Sequence, residues 1–306
     1  MSQALLLRFH RWIAVVFAVP LAVIIVTGLL LSLLPLMQAA SITPGAVTID
    51  KVEAWLDKYD PENKTTSVAL DTHYNYFTLN GPGAEGAIYV DTRTGAEATE
   101  ESALSNLIWS SRGVHERLIF DLGWLVSLST AAMLVIIIVG VFMGLPRLVN
   151  TVSGWHKATA WFLLPLLFLS ALSGLLMSFG ITLSSPAPRS QPLPIRDALR
   201  MVAQKHDLSG LDWIRQRGGR QMARISDGFN QRTYLVTAEG LKPAPSNLPR
   251  TFHEGTFFGI WGGVMNVVLS LAFALLLGTG LIIWARRTFR RRRRVRRPET
   301  IGAPAE

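Results

Sequence analysis

Four long apolar stretches constrain this chain more than any other feature of its sequence. They cover residues 13–36, 122–145, 158–183 and 257–285, and hardly any of their residues are charged. A helix that crosses the hydrocarbon core of a membrane needs about 20 apolar residues, so each stretch is long enough. Only 17% of all residues are charged, whereas soluble proteins carry about 25%. The sequence therefore predicts an all-α membrane domain of four transmembrane helices.

The first of these stretches could also belong to a signal peptide. Residues 37–40 loosely resemble the small-residue site at which signal peptides are cleaved. The apolar part of a signal peptide usually has about 7–15 residues, however, and this stretch is longer. We therefore expect the first helix to remain in the mature protein.

Basic residues predict the orientation of the helices. Nine arginines within residues 286–297, directly after the last apolar stretch, account numerically for the net charge of +9. Such a run marks the cytoplasmic side of a membrane and can contact anionic lipid, so it does not indicate a nucleic-acid site. Arg8, Arg11, Arg147 and Lys157 fall on the same side if both termini are cytoplasmic. The two long polar segments between the helices then lie outside.

The sequence contains two copies of one unit, in which a polar segment lies between two predicted membrane-spanning helices. The copies cover residues 1–148 and 154–288. Four pairs of residues match between them: His10 with His156, Gly28 with Gly174, His115 with His253, and Gly140 with Gly278. The first two pairs are both 146 positions apart, and the last two are both 138 positions apart. Identical residues at equal spacing indicate an internal repeat.

Each polar segment predicts a small α+β lobe in which one helix precedes three alternating strands. The helices are predicted at residues 48–59 and 194–205, and the strands at residues 66–71, 74–80, 87–92, 212–217, 221–226 and 232–237. Lobes of about 60 residues are marginally stable alone, so we expect them to pack on each other or on the membrane domain.

These patterns divide the chain into eight parts. They are the first transmembrane helix at 1–36, the first lobe at 37–117, the second helix at 118–146, a cytoplasmic loop at 147–155, the third helix at 156–183, the second lobe at 184–256, the fourth helix at 257–285 and a basic cytoplasmic tail at 286–306.

Four of the six histidines stand one per helix, each near a helix start. Helices one and three run outward, which places His10 and His156 near the inner face of the membrane. Helices two and four run inward, which places His115 and His253 near the outer face. Two facing neutral imidazoles are the usual axial ligands of a b-type haem iron, and they need no cysteine, which this chain lacks. We therefore predict two haem b groups, one ligated by each histidine pair.

A glycine follows each of these histidines after a whole number of helical turns. The spacing is 18 residues in helices one and three, or five turns, and 25 residues in helices two and four, or close to seven turns. A glycine lets a porphyrin approach the backbone closely. Gly28 and Gly174 are therefore predicted to face the outer haem, and Gly140 and Gly278 the inner one. Alternatively, such glycines only allow close helix packing, as in the pair Gly140 and Gly144.

Basic side chains near both pairs are candidate partners of haem propionates. Arg8, Arg11 and Lys157 flank the inner pair, while Arg112 and Arg250 each lie three residues before an outer histidine. Basic residues also simply mark a membrane interface, which leaves both interpretations open for the inner set. The remaining histidines, at positions 73 and 206, are interpreted as surface residues of the lobes.

The residues that start the first helix, His10, Arg11 and Trp12, resemble the PepSY-associated transmembrane helix proteins. The other histidine-bearing helix starts and the intervening helix-and-strand lobes share this resemblance, which covers nearly the whole chain. Members include haem-containing reductases of ferric siderophores in the bacterial inner membrane. The resemblance implies two PepSY-like periplasmic lobes and a ferric siderophore or other ferric chelate as substrate. It leaves the electron donor as a quinol or a cytosolic flavin reductase, since this chain carries no flavoprotein part.

Three classes of function follow from these features. The first is a two-haem oxidoreductase that passes electrons from a cytoplasmic donor to an outer haem and then to a ferric chelate, with no acid–base residue required. The second is a metal-ion transporter or metal-handling protein that uses the four histidines, to which Glu116 and Glu254 could add ligands. The third is a haem-free membrane regulator whose lobes bind a partner. A visible absorption spectrum of the purified protein distinguishes the three.

Overall fold

The structure is a computed structural model that describes residues 2–81, 86–98, 103–146, 149–185, 188–228 and 230–295. Arg147 and residues 296–306, which contribute to the predicted cytoplasmic charge, lie outside the described residues. Eleven α-helices occur within the described part of the chain. They are α1 (Gln3–Val16), α2 (Ala18–Ser32), α3 (Leu34–Ser41), α4 (Ile49–Tyr59), α5 (Ala103–Arg117), α6 (Gly123–Phe142), α7 (Val152–Phe162), α8 (Leu164–Ser178), α9 (Ile195–Ala203), α10 (Leu248–His253) and α11 (Gly259–Val295).

Three helical runs are long and apolar enough to cross a membrane: Ala18–Ser41, Gly123–Phe142 and Gly259–Phe289. Helices α7 and α8 form a fourth span if this pair, bent by 70°, is counted as one. Within the most apolar 18 residues of each single span, only 11–22% are buried inside the protein. Most of their side chains are therefore free to face lipid, and the chain is a membrane protein with three to four spans.

Prolines explain where the helical runs are interrupted. Pro20 follows the break between α1 and α2, Pro35 the break between α2 and α3, and Pro165 the break between α7 and α8. Proline lacks the N–H that would continue the helical hydrogen bonds, and its ring crowds the preceding turn. A count of helical turns from His10 or His156 to the following glycine therefore crosses a break in the helix.

Contacts between residues group the chain into two compact units. The first unit comprises Met1–Val26, Arg117–Leu172 and Leu269–Glu306. Its described part is helical, and α1 packs against α6. Apolar side chains such as Leu21, Leu134 and Leu167 are its buried residues.

The second unit comprises Thr27–Glu116 and Ser173–Val268, and it contains one seven-stranded sheet. The strands are β1 (Ser67–Asp71), β2 (Tyr76–Asn80), β3 (Ala87–Asp91), β4 (Leu211–Gln216), β5 (Gln221–Asp227), β6 (Asn230–Thr237) and β7 (Gly240–Pro243). All neighbours are antiparallel, in the order β3-β2-β1-β4-β5-β6-β7. Strands β1 and β4 pair through Val68 with Ile214 and Ala69 with Trp213, so both polar segments share one sheet.

Helices α4 and α9 cover one face of this sheet. Thr48 caps α4 by accepting a hydrogen bond from the backbone N–H of Lys51, and Val52, Trp55 and Leu56 then line its buried side. These side chains join one core with Ala198 and Leu199 of α9, Phe77 of β2 and Ile214 of β4. Because side chains alternate along a strand, Trp213 and Arg215 on β4 point to the other face of the sheet. That face remains free of α4 and α9.

Candidate functional site

The first unit brings His10 and His156 together, as two rings from helices α1 and α7. Their ring centres lie 6.5 Å apart, and the ring planes are inclined at 87°. Both side chains are half-buried. Residues separated by 146 positions in the sequence thus form one pair of imidazoles.

The second unit brings His115 and His253 together. The prediction that both lie near a helix start was wrong: His115 lies near the end of α5 and His253 is the last residue of α10, and the helix breaks after each before α6 and α11 begin. Their ring centres lie 6.0 Å apart, with an inclination of 41° between the planes. Asn266 donates a hydrogen bond of 3.0 Å from Nδ2 to the backbone carbonyl of His253, which holds the end of this short helix against α11.

Both separations match that of two imidazoles on opposite sides of one metal ion. A metal–imidazole bond is about 2.0 Å long and the ring centre lies about 1.1 Å beyond the nitrogen, so the two ring centres are roughly 6 Å apart. Aromatic rings in direct contact have centres about 4.5–7 Å apart, so an edge contact between the imidazoles has the same separation. The spacing of each pair is therefore compatible with one metal ion between the rings.

Hydrogen bonds at Nδ1 orient the inner histidines. His10 donates from Nδ1 to the backbone carbonyl of Ile136 at 3.1 Å. Nδ1 of His156 lies 2.9 Å from Oγ1 of Thr279. That hydroxyl donates its own hydrogen to the carbonyl of Leu275 at 2.6 Å, so it accepts from the imidazole. In the neutral ring Nε2 is then unprotonated, which is the form that ligates a metal.

Hydroxyl groups also lie beside Nδ1 of both outer histidines. Thr27 Oγ1 is 3.2 Å from Nδ1 of His115, and Ser173 Oγ is 3.4 Å from Nδ1 of His253. These two hydroxyl residues and Thr279 were not among the site residues predicted from the sequence. A signal for them exists, because in three of the four spans a hydroxyl residue directly precedes the glycine that lies next to a histidine.

The glycines lie against the histidine rings, with one change from the predicted set. A Cβ atom on Gly28 would lie 3.0 Å from Cε1 of His115, and one on Gly174 would lie 2.9 Å from Cε1 of His253. At Gly140 the corresponding distance to Cε1 of His10 is 3.9 Å. No atom of the described residues lies within 4 Å of a Cβ placed on Gly278. A Cβ placed on Gly280, in contrast, would lie 3.5 Å from Cε1 of His156.

Gly280 therefore occupies the place that the repeat assigned to Gly278. The reason lies in the connection between α10 and α11. The segment from His253 to Gly280 is two residues longer than the segment from His115 to Gly140. Applying the 25-residue spacing of the first copy to His253 therefore gives Gly278, two residues before Gly280. Both segments also cross a break in the helix, which resets the direction in which side chains point.

A cavity of about 570 Å³ in the first unit includes the inner pair. His10, His156, Gly140 and Gly280 line it, and the rest of its wall is mainly apolar. Three cations, Arg11, Lys157 and Arg287, also border it. Of the predicted inner set, Arg8 is exposed and is not among the lining residues, and Arg287 was missed because it was assigned to the basic tail. The volume is within the usual range for a bound small molecule or cofactor.

Near the outer pair, the predicted partner Arg250 is already engaged. Its Nη1 lies 3.7 Å from Oε1 of Glu254, whose Oε2 lies 3.8 Å from Nη1 of Arg224. Arg112 is half-buried on α5, three residues before His115. Within the described residues, no three side chains from His, Cys, Asp or Glu lie close enough together to hold a metal ion. Within the described residues each histidine pair therefore offers two imidazoles, and Glu254 forms ion pairs with Arg250 and Arg224.

The apolar spans and the attached antiparallel sheet define a multi-span membrane protein. The chain belongs to the family of the PepSY-associated TM region, whose family model matches residues 7–287. That match includes both histidine pairs and both polar segments. No curated protein matches the chain.

Proposed function

We propose that the chain is a transmembrane electron-transfer protein that binds two b-type haems, one at each histidine pair. In this proposal it acts as an oxidoreductase, taking electrons from a quinol or cytosolic flavin reductase and reducing a ferric siderophore or other ferric chelate in the periplasm. The observation that carries the proposal is the geometry of the pairs, with ring centres 6.5 and 6.0 Å apart. Two histidines from separate helices lie at that spacing in each pair, and their imidazoles would hold a haem through its iron.

The residues around the inner pair fit a haem. Ile136 and Thr279 hold the two imidazoles through Nδ1 and leave Nε2 directed away from these partners. Gly140 and Gly280 keep the cavity clear of side chains beside the rings. When bound, a haem would supply an iron that gains and loses single electrons.

Charges at the cavity border also fit this cofactor. Arg11, Lys157 and Arg287 offer three cationic side chains to carboxylates such as propionates. The rest of the wall is apolar and suits a porphyrin edge. These residues would bind and orient the group while excluding water from it.

The proposed orientation has both termini in the cytoplasm of a bacterium and both polar segments in the periplasm. The basic run within residues 286–297 supports it, because positive charges flanking a span stay on the cytoplasmic side. In this arrangement His10 and His156 serve the cytoplasmic side, and His115 and His253 serve the periplasmic side. The matching residues of the two halves support an internal repeat in which each half supplies one ligand to each pair.

Haem content of the purified full-length protein tests the proposal. A pyridine haemochrome assay is expected to give two haem b per chain. His156→Ala and His253→Ala are each expected to lower this to about one, because the two pairs have separate ligands. His206→Ala is the matched control, since His206 packs on Tyr234 in the sheet and belongs to neither pair.

A protein without haem, or one with c-type spectra, contradicts the proposal. Loss of both haems from each single variant contradicts the assignment of ligands to pairs. The reductase part is tested by mixing the reduced protein with a ferric siderophore without oxygen. Return of the oxidised spectrum is expected, and an unchanged spectrum with every ferric chelate tried would exclude this substrate class.

A further inference from the structure

The face of the sheet opposite α4 and α9 carries a group of arginines around one tryptophan. Trp213 on β4 and Arg224 on β5 are cross-strand partners, and Arg215 follows two residues after Trp213 on the same face. The Arg215 guanidinium carbon lies 3.9 Å from the centre of the Trp213 ring, and that of Arg224 lies 5.4 Å from it. The indole thus has an arginine close against it and a second one beside it.

Two of the arginines on this side of the sheet already have acidic partners. Arg224 Nε lies 2.8 Å from Oδ2 of Asp212, and its Nη1 lies 3.8 Å from Glu254. Arg250 shares the same Glu254 at 3.7 Å. Asp212 is buried and also accepts a hydrogen bond from Ser226 at 2.8 Å. Arg224 and Arg250 thus have acidic partners within the protein.

Arg215 differs from its neighbours. Its Nε is buried and has no hydrogen-bond partner within the part of the chain that the structure describes. The guanidinium is half-buried, so an anion can still reach it. Burial, followed by repulsion from Arg224, Arg217 and Arg250, lowers the pKa of Arg215 to about 10, while Glu254 acts in the opposite direction. A bound anion would offset this repulsion among the arginines.

A carboxylate is the anion that this arrangement fits. Stacking on Trp213 fixes the plane of the guanidinium and leaves its N–H groups at the edge, where two can donate in parallel to one carboxylate. A lysine would offer a point charge without that fixed plane. We propose that Arg215, held against Trp213 with Arg224 beside it, anchors a carboxylate-binding site on the face of the sheet opposite α4 and α9.

This site extends toward the outer histidine pair, because Glu254, which contacts Arg224, directly follows His253. The carboxylate has two possible sources, a soluble ferric chelate rich in carboxylates or a propionate of the outer haem. Both sources depend on the proposed function. A ferric chelate would be the substrate of the proposed reductase, and a propionate would be a contact between Arg215 and the proposed outer haem. The binding of a free carboxylate can, however, be measured without any redox reaction.

Calorimetric titration of the purified full-length protein with metal-free citrate, together with its haem content, tests the site. Arg215→Gln is expected to weaken citrate binding roughly tenfold or more, since it removes a charge-assisted bidentate contact. Arg215→Lys is expected to bind citrate with an intermediate affinity. This variant tests the site if Arg215→Gln folds poorly. Arg232→Gln is the matched control, because Arg232 pairs with Ile225 on the neighbouring strand and points to the opposite face. Its citrate affinity should equal that of the unmodified protein.

The two sources give different results. Loss of citrate binding with unchanged haem content in Arg215→Gln identifies a soluble carboxylate, whereas loss of haem from the outer pair identifies a propionate. Unchanged citrate affinity together with unchanged haem content in Arg215→Gln and Arg215→Lys overturns the site. If the purified protein contains no haem but binds citrate through Arg215, the carboxylate site is confirmed and the proposed function is wrong.

Discussion

Single hydrogen bonds decide what the histidines of this protein can do. Thr279 shows this best, because its hydroxyl donates to the carbonyl of Leu275 and must accept from Nδ1 of His156. The proton of the neutral imidazole is thereby kept on Nδ1, and Nε2 is left with a free lone pair. Ile136 has the same effect on His10 through its backbone carbonyl. One side-chain oxygen and one carbonyl therefore select the tautomer of the inner pair that carries its proton on Nδ1.

Thr279→Val tests this role, because valine has nearly the same shape but cannot accept the hydrogen bond. We expect a roughly 10–100-fold weaker affinity for the haem proposed at the inner pair, since partners of ligating histidines have effects of that size. Haem retention after transfer to an excess of an apo-haem protein measures the change. Thr288→Val is the control, because Thr288 makes the same kind of bond on α11, donating to the carbonyl of Trp284 at 2.9 Å. Equal haem retention in both variants would show that the contact at His156 has no such role.

Gly280 and Gly278 provide a second comparison at the scale of one residue. Gly280→Leu places a side chain against His156, where even the first carbon would be 3.5 Å from Cε1, so we expect loss or a spectral shift of the inner haem. Gly278→Leu enters a position with no described atom within 4 Å and should leave the spectrum unchanged. Visible spectra of the reduced proteins measure both effects. A spectral change in Gly278→Leu together with an unchanged spectrum in Gly280→Leu would instead assign Gly278 to the proposed haem site.

At the scale of single elements, the sheet places charged side chains where burial changes their behaviour. Asp71 ends β1 on the face opposite α4 and α9, because Leu70 beside it points into the core. Burial is the main cause that raises the pKa of Asp71 to about 6, and the nearby Asp212 adds to it. Arg112 and Arg224 act in the opposite direction with smaller effects. The folded protein thus holds the Asp71 proton more tightly than the unfolded chain does.

Asp71→Asn should therefore stabilise the protein in a way that depends on pH. The unfolded carboxyl titrates near pH 4, so the folded state loses stability as pH rises from about 4 to about 6, and the loss is complete above that. The variant should gain about 1–3 kcal/mol at pH 7.5 and nothing near pH 4. Apparent Tm values at both pH values measure this.

Asp91→Asn is the control with the opposite sign. Backbone hydrogen bonds from Arg93 and Thr94 lower the pKa of Asp91 although partial burial raises it. Its ionised form therefore stabilises the fold above the pKa of the unfolded chain, and that stability is lost as pH falls. Asp91→Asn should leave Tm at pH 7.5 unchanged or lower it. A lower Tm for Asp71→Asn at pH 7.5 would show that its carboxylate has a stabilising partner.

At the scale of the whole molecule, each histidine pair lies within one of the two compact units. The inner pair lies in the first unit, with a cavity lined mainly by apolar residues, and the outer pair lies in the second, which also carries the sheet. This division suits two kinds of chemistry. An apolar helical cavity suits a buried cofactor, while a sheet with an arginine-rich face suits a soluble anion.

The sequence by itself determined that the chain crosses a membrane with three to four spans, and it located most strands and the four histidines of the pairs. Hydropathy and the periods of helix and strand are local properties, so the predicted strand at residues 87–92 is found at Ala87–Asp91. Strand β7, which is only four residues long, and helices α3 and α10 were missed because short elements give weak periodic signals. Breaks after Val16 and Phe162 follow from Pro20 and Pro165 and were also within reach of the sequence.

Only the tertiary structure decided which groups complete the sites. Ile136 is 126 positions from His10 and Thr279 is 123 positions from His156, so no local pattern joins them. The pairing of β1 with β4 likewise joins segments more than 140 residues apart and creates the face that carries Arg215. Gly280, and not the predicted Gly278, lies beside His156. The reason is that the segment from His253 to this glycine is two residues longer than the corresponding segment of the first copy. Helical phase is a local property and is lost at each break, whereas contacts across the fold depend on how the separate elements pack.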